Sequence, residues 1–108
     1  SKDDWARIEQ EAEAITTDFL AAMQQNLPID HDAVRALAER HRSHIERWFY
    51  PCSPEMHAQV ASLYTGDPRF QAHYDRHAVG LAAYIESAIR AKAGVETDDA
   101  SAEDTAQD

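Results

Sequence analysis

The residues best suited to chemistry lie together in one segment, 41–57. It holds Cys52, the only cysteine of the chain, and three of the six histidines, His41, His44 and His57. Thiols and imidazoles serve as nucleophiles, bases and metal ligands. Any chemistry of this chain is therefore predicted to lie in this segment.

Cys52 lies in a Pro-Cys-Ser-Pro turn directly before a predicted helix. The positive end of a helix dipole stabilises a thiolate, so this position favours an exposed, nucleophilic thiol. Glu55, in the first turn of that helix, opposes the shift, and free cysteines are among the residues most often buried. The sequence leaves a reactive and an inert interpretation of Cys52 open.

The same segment offers a zinc site as an alternative, because His41 and His44 can share a helix face near Cys52 and His57. The chain has no closely spaced pair of cysteines, and His41 falls on an apolar stripe. A hydrogen-bonded core histidine is the favoured interpretation of His41, and no metal or other cofactor is predicted. Two further histidines are predicted to lie on a solvated surface without a role: His73 and His77.

Trp48, Phe49 and Tyr50 are consecutive, so on a helix their side chains point about 100° apart and cannot all enter one core. At least one should face a groove or solvent. The triplet either seals the corner between two helices or forms an aromatic wall for an apolar ligand. The later aromatic residues are predicted to belong to the core rather than to a pocket: Tyr64, Phe70, Tyr74 and Tyr84.

No glycine-rich phosphate loop, pair of catalytic carboxylates or Ser/His/Asp arrangement is recognisable in the sequence. Nothing in the pattern requires an enzyme, and the chain is predicted not to be one.

These residues must be positioned by helices, of which the pattern predicts five. The first carries an apolar stripe from Trp5 to Met23, with Ser1, Asp3 or Asp4 as its cap. Asp30 is the predicted N-cap of the second, which Pro51 ends at or before the preceding residue.

The third and fourth helices are predicted from Ser53 and Asp67, each followed by a proline. The third is expected to continue through Leu63 and Tyr64, and the fourth is short. A fifth helix is predicted from about Val79 until Gly94 stops it. No segment has the alternation of a strand, so the fold is predicted to be all-α.

Length and charge limit the function. A chain of 108 residues with 44% apolar content suits one domain, predicted at 1–93, and its net charge of -10 repels nucleic acids and anionic lipids alike. The remaining residues, 94–108, are rich in acids and poor in apolar side chains, and are predicted to form a disordered tail.

A single cysteine fits a reducing compartment, so the cytoplasm is the expected location. No apolar run approaches the roughly 20 residues that span a bilayer, and no membrane partner is predicted. The first residue is Ser1 rather than Met, which suggests a piece of a longer protein.

Taken together, the motifs resemble the TipAS domain. The similarity rests on the histidine pair and following residues at 41–45, the Trp-Phe-Tyr-Pro-Cys-Ser run at 48–53 and Glu-Met-His at 55–57. It continues at the same spacing through 63–64, 67–70, 80–84 and 88–89, and covers nearly all of 4–91.

The resemblance implies the effector-recognition domain of a MerR-type transcription activator, with a globin-like, all-helical fold. In that family a DNA-binding domain and a dimerising coiled coil lie upstream, so a homodimeric parent and a monomeric fragment are expected. The family binds thiopeptide and related antibiotics in a cleft and can attach dehydroalanine-bearing ligands through a cysteine that Cys52 matches. The predicted ligand-binding residues are His41, Trp48, Phe49, Tyr50, Cys52, Met56 and His57.

Two other functions remain open from the sequence. One is a protein-interaction module that couples the activator to polymerase or a partner helix, with the aromatic triplet as its anchor. The other is a redox or metal sensor that uses Cys52 and His57.

Overall fold

A computed structural model describes residues 1–94, which form six α-helices. Their bounds are α1 Lys2–Gln24, α2 Asp32–Trp48, α3 Pro54–Ala61, α4 Leu63–Gly66, α5 Pro68–Asp75 and α6 Leu81–Ala93. These residues contain no strand, which confirms the all-α prediction. The predicted acidic tail, from residue 95 onward, lies outside the described part of the chain.

Three of the predicted caps form as expected. The side chains of Ser1, Ser53 and Asp67 each accept a hydrogen bond from a backbone N–H two or three residues further on, at 3.2, 3.1 and 2.8 Å. Each bond satisfies an N–H that has no partner within the first helical turn. Gly94 ends α6 in the left-handed conformation, with φ of 78°.

The second helix begins one position later than predicted. Pro28 and His31 close a turn through a backbone hydrogen bond of 3.0 Å, so the chain enters the helix after His31 rather than after Asp30. The His31 ring then serves as the cap, because its Nδ1 accepts the N–H of Ala33 at 3.0 Å. The prediction of Asp30 as the cap was wrong because this local turn fixes the register.

The third helix does not continue through Tyr64 as predicted. The Ser62 hydroxyl donates to the carbonyl of Gln59 at 2.6 Å, and this competition with the helical hydrogen bonds separates α3 from the single turn α4. The last helix begins at Leu81 rather than Val79, because Gly80 has φ of 94°, which a right-handed helix does not accommodate.

The core is built around α6, which packs against each of the other five helices. Leu81, Ile85 and Ile89 of α6 are fully or almost fully buried, together with Phe19 of α1 and Val34 of α2. Burial of each such side chain contributes about 1.5–3 kcal/mol relative to leaving it exposed. Two buried alanines of α6 let neighbouring helices approach closely: Ala82 and Ala88.

The start of α6 has no side-chain cap of its own, since its N-cap residue is Gly80. Asp75, the last residue of α5, supplies one by accepting the N–H of Ala82 at 2.9 Å. We expect Asp75→Ala to lower the free energy of unfolding by ~1 kcal/mol in urea titrations.

The matched control is Asp30→Ala, because Asp30 is an exposed aspartate just before a helix that another residue caps. Its effect should stay within about 0.5 kcal/mol. Equal destabilisation by the two variants would contradict the capping role of Asp75.

Candidate functional site

A cleft of about 350 Å³ lies between α1, α2 and α5. The second helix contributes His41 and His44, and the end of α5 with the following turn contributes His73 and His77. We call it the histidine cleft. Its other lining residues are Glu9, Ala12, Glu13, Thr16, Tyr74 and Arg76.

A more open groove of about 560 Å³ lies along α5 and is lined by Arg69, Phe70, His73 and Tyr74. We call it the aromatic groove. It shares His73 and Tyr74 with the histidine cleft, so the two concavities meet at these side chains. Small-molecule sites typically occupy about 300–1,000 Å³. Both concavities fall within this range.

A cluster of four rings, His57, His41, Tyr64 and Phe70, lies behind this surface, and we call it the ring cluster. His41 stacks on His57 with centroids 5.0 Å apart and meets Tyr64 edge-on at 6.0 Å. Tyr64 in turn stacks on Phe70 at 6.0 Å. The cluster therefore extends from the buried face of α3 to the exposed ring of Phe70.

Hydrogen bonds fix the two imidazoles of the ring cluster. His41 Nδ1 lies 2.7 Å from His57 Nε2, and His41 Nε2 lies 3.2 Å from the Tyr64 hydroxyl. Only one proton fits between two nitrogens at 2.7 Å, so one ring donates and the other accepts. The prediction of a hydrogen-bonded histidine at position 41 is confirmed.

Burial also keeps these imidazoles neutral. It lowers the pKa of His41 to about 3, with the nearby His57 as the second cause. It lowers the pKa of His57 to about 4, and the positive charges of Lys92 and Arg42 add to the effect. At neutral pH the pair therefore acts through hydrogen bonds and shape rather than charge.

Cys52 is fully buried, and its Sγ lies 3.8 Å from the Ser53 carbonyl. Burial raises the pKa of the thiol, with Glu46 adding to the rise and Arg42 opposing it. The position before α3 does not produce an exposed thiolate, because the thiol is buried and loss of solvent disfavours its charged form. Of the two interpretations left open by the sequence, the described conformation agrees with the unreactive one.

The aromatic triplet divides between two environments. The Trp48 indole is half-buried and donates to Glu11 at 3.0 Å, which seals the corner between α1 and α2. Phe49 meets His44 edge-on but is 52% exposed, and Tyr50 is 42% exposed. The prediction that at least one member faces a groove or solvent is confirmed.

Of the seven predicted ligand-binding residues, only His41 lines the histidine cleft, and none lines the aromatic groove. His57 and Cys52 lie inside the protein, and Met56 is 42% exposed on α3. Their contact with a ligand stays a prediction.

Apart from His41, the concave surface is lined by residues that were not predicted to bind a ligand. Phe70 and Tyr74 were predicted as core rather than pocket residues, but Phe70 is 40% exposed, and the partly buried Tyr74 lines both concavities. Tyr64 and the hydrogen-bonded Tyr84 are core or near-core residues as expected. The available signal was the start of α5 at Asp67 and Pro68, which fixes the helical register. Residues three and four positions apart then share a face, and this face contains Phe70, His73 and Tyr74. His77 follows in the turn after α5.

Residues 1–94 contain no group of three or more His, Cys, Asp or Glu side chains arranged to hold a metal ion. Among the same residues, no helix has both the length and the apolar character needed to cross a membrane.

Comparison with known proteins gives concordant matches in sequence and structure. Residues 1–92 match the family model of the TipAS antibiotic-recognition domain. The chain is 41% identical over 93 residues to the HTH-type transcriptional activator TipA of Streptomyces coelicolor, covering 86% of this chain and 37% of TipA. It is 38% identical over 91 residues to the regulator SkgA of Caulobacter vibrioides, covering 83% of this chain and 36% of SkgA.

A solved structure of Streptomyces lividans TipAS in complex with nosiheptide is also similar, with a TM-score of 0.80 and 41% identity. The match covers 85% of this chain and 64% of that one. The present chain thus spans little more than a third of the curated relatives it matches.

Because His41 and His57 are neutral in the folded protein, we expect the free energy of unfolding to depend on pH. An unfolded histidine has a pKa near 6.5, so the unfolded chain binds protons that the folded pair excludes. The stability due to His41 and His57 is therefore complete above about pH 6.5 and is lost as pH falls toward their folded pKa values of about 3 and 4. Between pH 7 and pH 5, the free energy of unfolding should fall by ~2 kcal/mol for each histidine.

Urea titrations of the wild type and of His57→Gln at both pH values test this dependence. The glutamine cannot be protonated, so the variant should lose a smaller free energy over the same interval. The same pH dependence in both proteins would show that other groups cause it.

Proposed function

The chain belongs to the TipAS antibiotic-recognition family, and from this membership we propose that it is the ligand-sensing domain of a MerR-type transcription activator. The observation that carries the proposal is the continuous surface formed by the histidine cleft and the aromatic groove. It lies on a chain whose solved relative is in complex with a thiopeptide. DNA binding and dimerisation are assigned to upstream segments of the parent protein.

The ligand class follows from what this surface presents. Phe70 offers a partly exposed ring, and its inner neighbour Tyr64 supports it from behind. Planar aromatic or heteroaromatic rings of a ligand can stack on such a surface. His73 and His77 add hydrogen-bonding groups beside it. A thiopeptide-like ligand with several heterocycles and amides suits this combination of chemistry.

Covalent capture is the second part of the proposal. A thiolate at Cys52 would add to the terminal carbon of a dehydroalanine alkene and form a C–S bond. The π electrons move to the neighbouring carbon, which takes up a proton, so the thiol adds across the double bond and nothing leaves. Binding that holds the alkene near the sulfur raises its effective concentration by orders of magnitude. Because Cys52 is buried, the thiol must first become accessible.

One observation favours a second candidate, the protein-interaction module. Phe49 and Tyr50 are exposed, and they do not line the histidine cleft or the aromatic groove. Exposed aromatic side chains are frequent anchors at protein interfaces. A partner that docks there would shift the amide signals of residues 48–50 in an NMR titration and leave those of α5 unchanged.

The stacking surface is tested by Phe70→Ala, with nosiheptide as the probe. We expect about tenfold weaker binding in an NMR or calorimetric titration, because the variant removes the exposed aromatic face. Val79→Ala is the control, since Val79 is 92% exposed and lines neither concavity. Equal affinity of the two variants would contradict a ligand site on α5.

Covalent capture is tested by Cys52→Ser and intact-mass measurement after incubation with a dehydroalanine-bearing thiopeptide. The wild type should gain one ligand mass, and the variant should gain none while its reversible NMR shifts persist. An adduct that persists in Cys52→Ser would exclude Cys52 as the nucleophile.

A further inference from the structure

The turn that carries Cys52 is tied to α2 by two charged side chains. We call residues 49–53 the Cys52 turn. Arg42 Nη1 donates to the Cys52 carbonyl at 2.7 Å, and the Cys52 N–H donates to Glu46 Oε1 at 3.3 Å. Arg42 Nη1 also lies 3.1 Å from the same Glu46 oxygen. Both backbone polar groups of the buried cysteine thus bind side chains of one helix.

Arg42 is itself firmly oriented. Its Nε and Nη2 donate to the two carboxylate oxygens of Glu39 at 2.9 and 2.7 Å, which is a bidentate pair. Glu39 Oε1 also forms an ion pair with Lys92 Nζ of α6, at 2.9 Å. Only 17% of the side chains of Arg42 and Lys92 is exposed. The contact to the Cys52 turn therefore belongs to a partly buried network that joins α2, the turn and α6.

This network differs from an ordinary surface ion pair. An exposed pair contributes little, since solvent and side-chain entropy offset its attraction. The bidentate pair with Glu39 already fixes the orientation of the partly buried Arg42 guanidinium. Its hydrogen bond to the Cys52 carbonyl therefore costs little additional side-chain entropy. The same helix provides a contrast at Arg40, whose side chain is 48% exposed and pairs with Asp18 of α1.

We propose that Arg42 is a positioning residue that sets how often the Cys52 turn opens, and thereby how fast the thiol reacts. The inference rests on the proposed function of Cys52 in ligand capture. An electrophile cannot reach a fully buried sulfur, so reaction proceeds through a conformation in which the turn has separated from α2. Loss of the Arg42 hydrogen bond to the Cys52 carbonyl is part of that opening, and the wild-type side chain opposes it.

The test measures how fast the aromatic disulfide DTNB labels the thiol. The Cys52 thiolate attacks one sulfur of the reagent, forms a mixed disulfide and releases the coloured aromatic thiolate. We expect wild-type labelling to be far slower than that of unfolded protein, and Arg42→Met to be labelled about tenfold faster than wild type. Arg40→Met is the matched control, since it also removes an arginine of α2 with a carboxylate partner, and it should be labelled at the wild-type rate.

Low urea concentrations distinguish turn opening from unfolding of the whole domain. Global unfolding accelerates steeply with urea, whereas a local opening that exposes little surface does not. The extra labelling of Arg42→Met should therefore persist with almost no urea dependence, and full urea titrations give the stability of each variant. Arg42→Lys keeps the positive charge but lacks the planar guanidinium with its several N–H donors. Its labelling rate should therefore lie between those of wild type and Arg42→Met.

Two results would overturn the inference. One is that Arg42→Met and Arg40→Met are labelled at equal rates after the contribution of global unfolding, given by the stability of each variant, is subtracted. The other is wild-type labelling as fast as that of unfolded protein. Neither depends on a thiopeptide, so failure of the positioning role is distinguishable from failure of the proposed ligand binding. Nosiheptide titration of Arg42→Met should still show reversible binding if only the turn is affected.

Discussion

Burial of α6 determines how the other helices of residues 1–94 are arranged. This helix meets every other helix of residues 1–94, so its apolar side chains, among them Leu81, Ile85 and Ile89, must be covered from several directions at once. A helix that neighbours cover from several sides leaves little of its own surface for a ligand. The concave surface therefore forms where α1, α2 and α5 meet, at the edge of the core.

The second helix has two tasks as a result. Val34, Ala38 and Ile45 face the core, while His41 lies at the border between the core and the histidine cleft. At this border the side chain must have hydrogen-bond partners for its buried polar atoms, and it must still present polar atoms to the cleft. The neutral imidazole of His41, hydrogen-bonded to His57, meets both conditions. His41 therefore packs against the core and also lines the histidine cleft.

Much of the fold was predictable because its signals are local. Ser53 and Asp67 with their prolines mark helix starts, and Gly94 marks an end, since each acts through its own backbone neighbours. The errors at Asp30 and Val79 arose where a nearby turn shifted a boundary by one or two residues. Backbone hydrogen bonds close such turns, and residue types alone do not determine which backbone groups will bond.

The site was less predictable, because it depends on contacts between helices. The sequence drew attention to Cys52 through its rarity, yet the residue is buried in a turn that hydrogen-bonds to α2. Conversely, Phe70 was predicted as core because aromatic residues usually are, whereas the short α5 leaves one of its faces exposed. Helix periodicity identifies which residues share a face, but only the arrangement of neighbouring helices decides whether that face is covered.

A buried thiol is compatible with a sensor that captures its ligand. A permanently exposed thiolate would react with any electrophile according to its concentration, so it would discriminate weakly between compounds. When reaction needs an opened turn, the observed rate is scaled by the fraction of molecules that are open. In the proposed capture, a ligand held beside Cys52 would remain there through many openings, whereas an unbound electrophile would have to arrive during one. If Arg42 holds the turn closed as proposed, its hydrogen bond to the Cys52 carbonyl would make reaction at Cys52 depend on a ligand that is already bound.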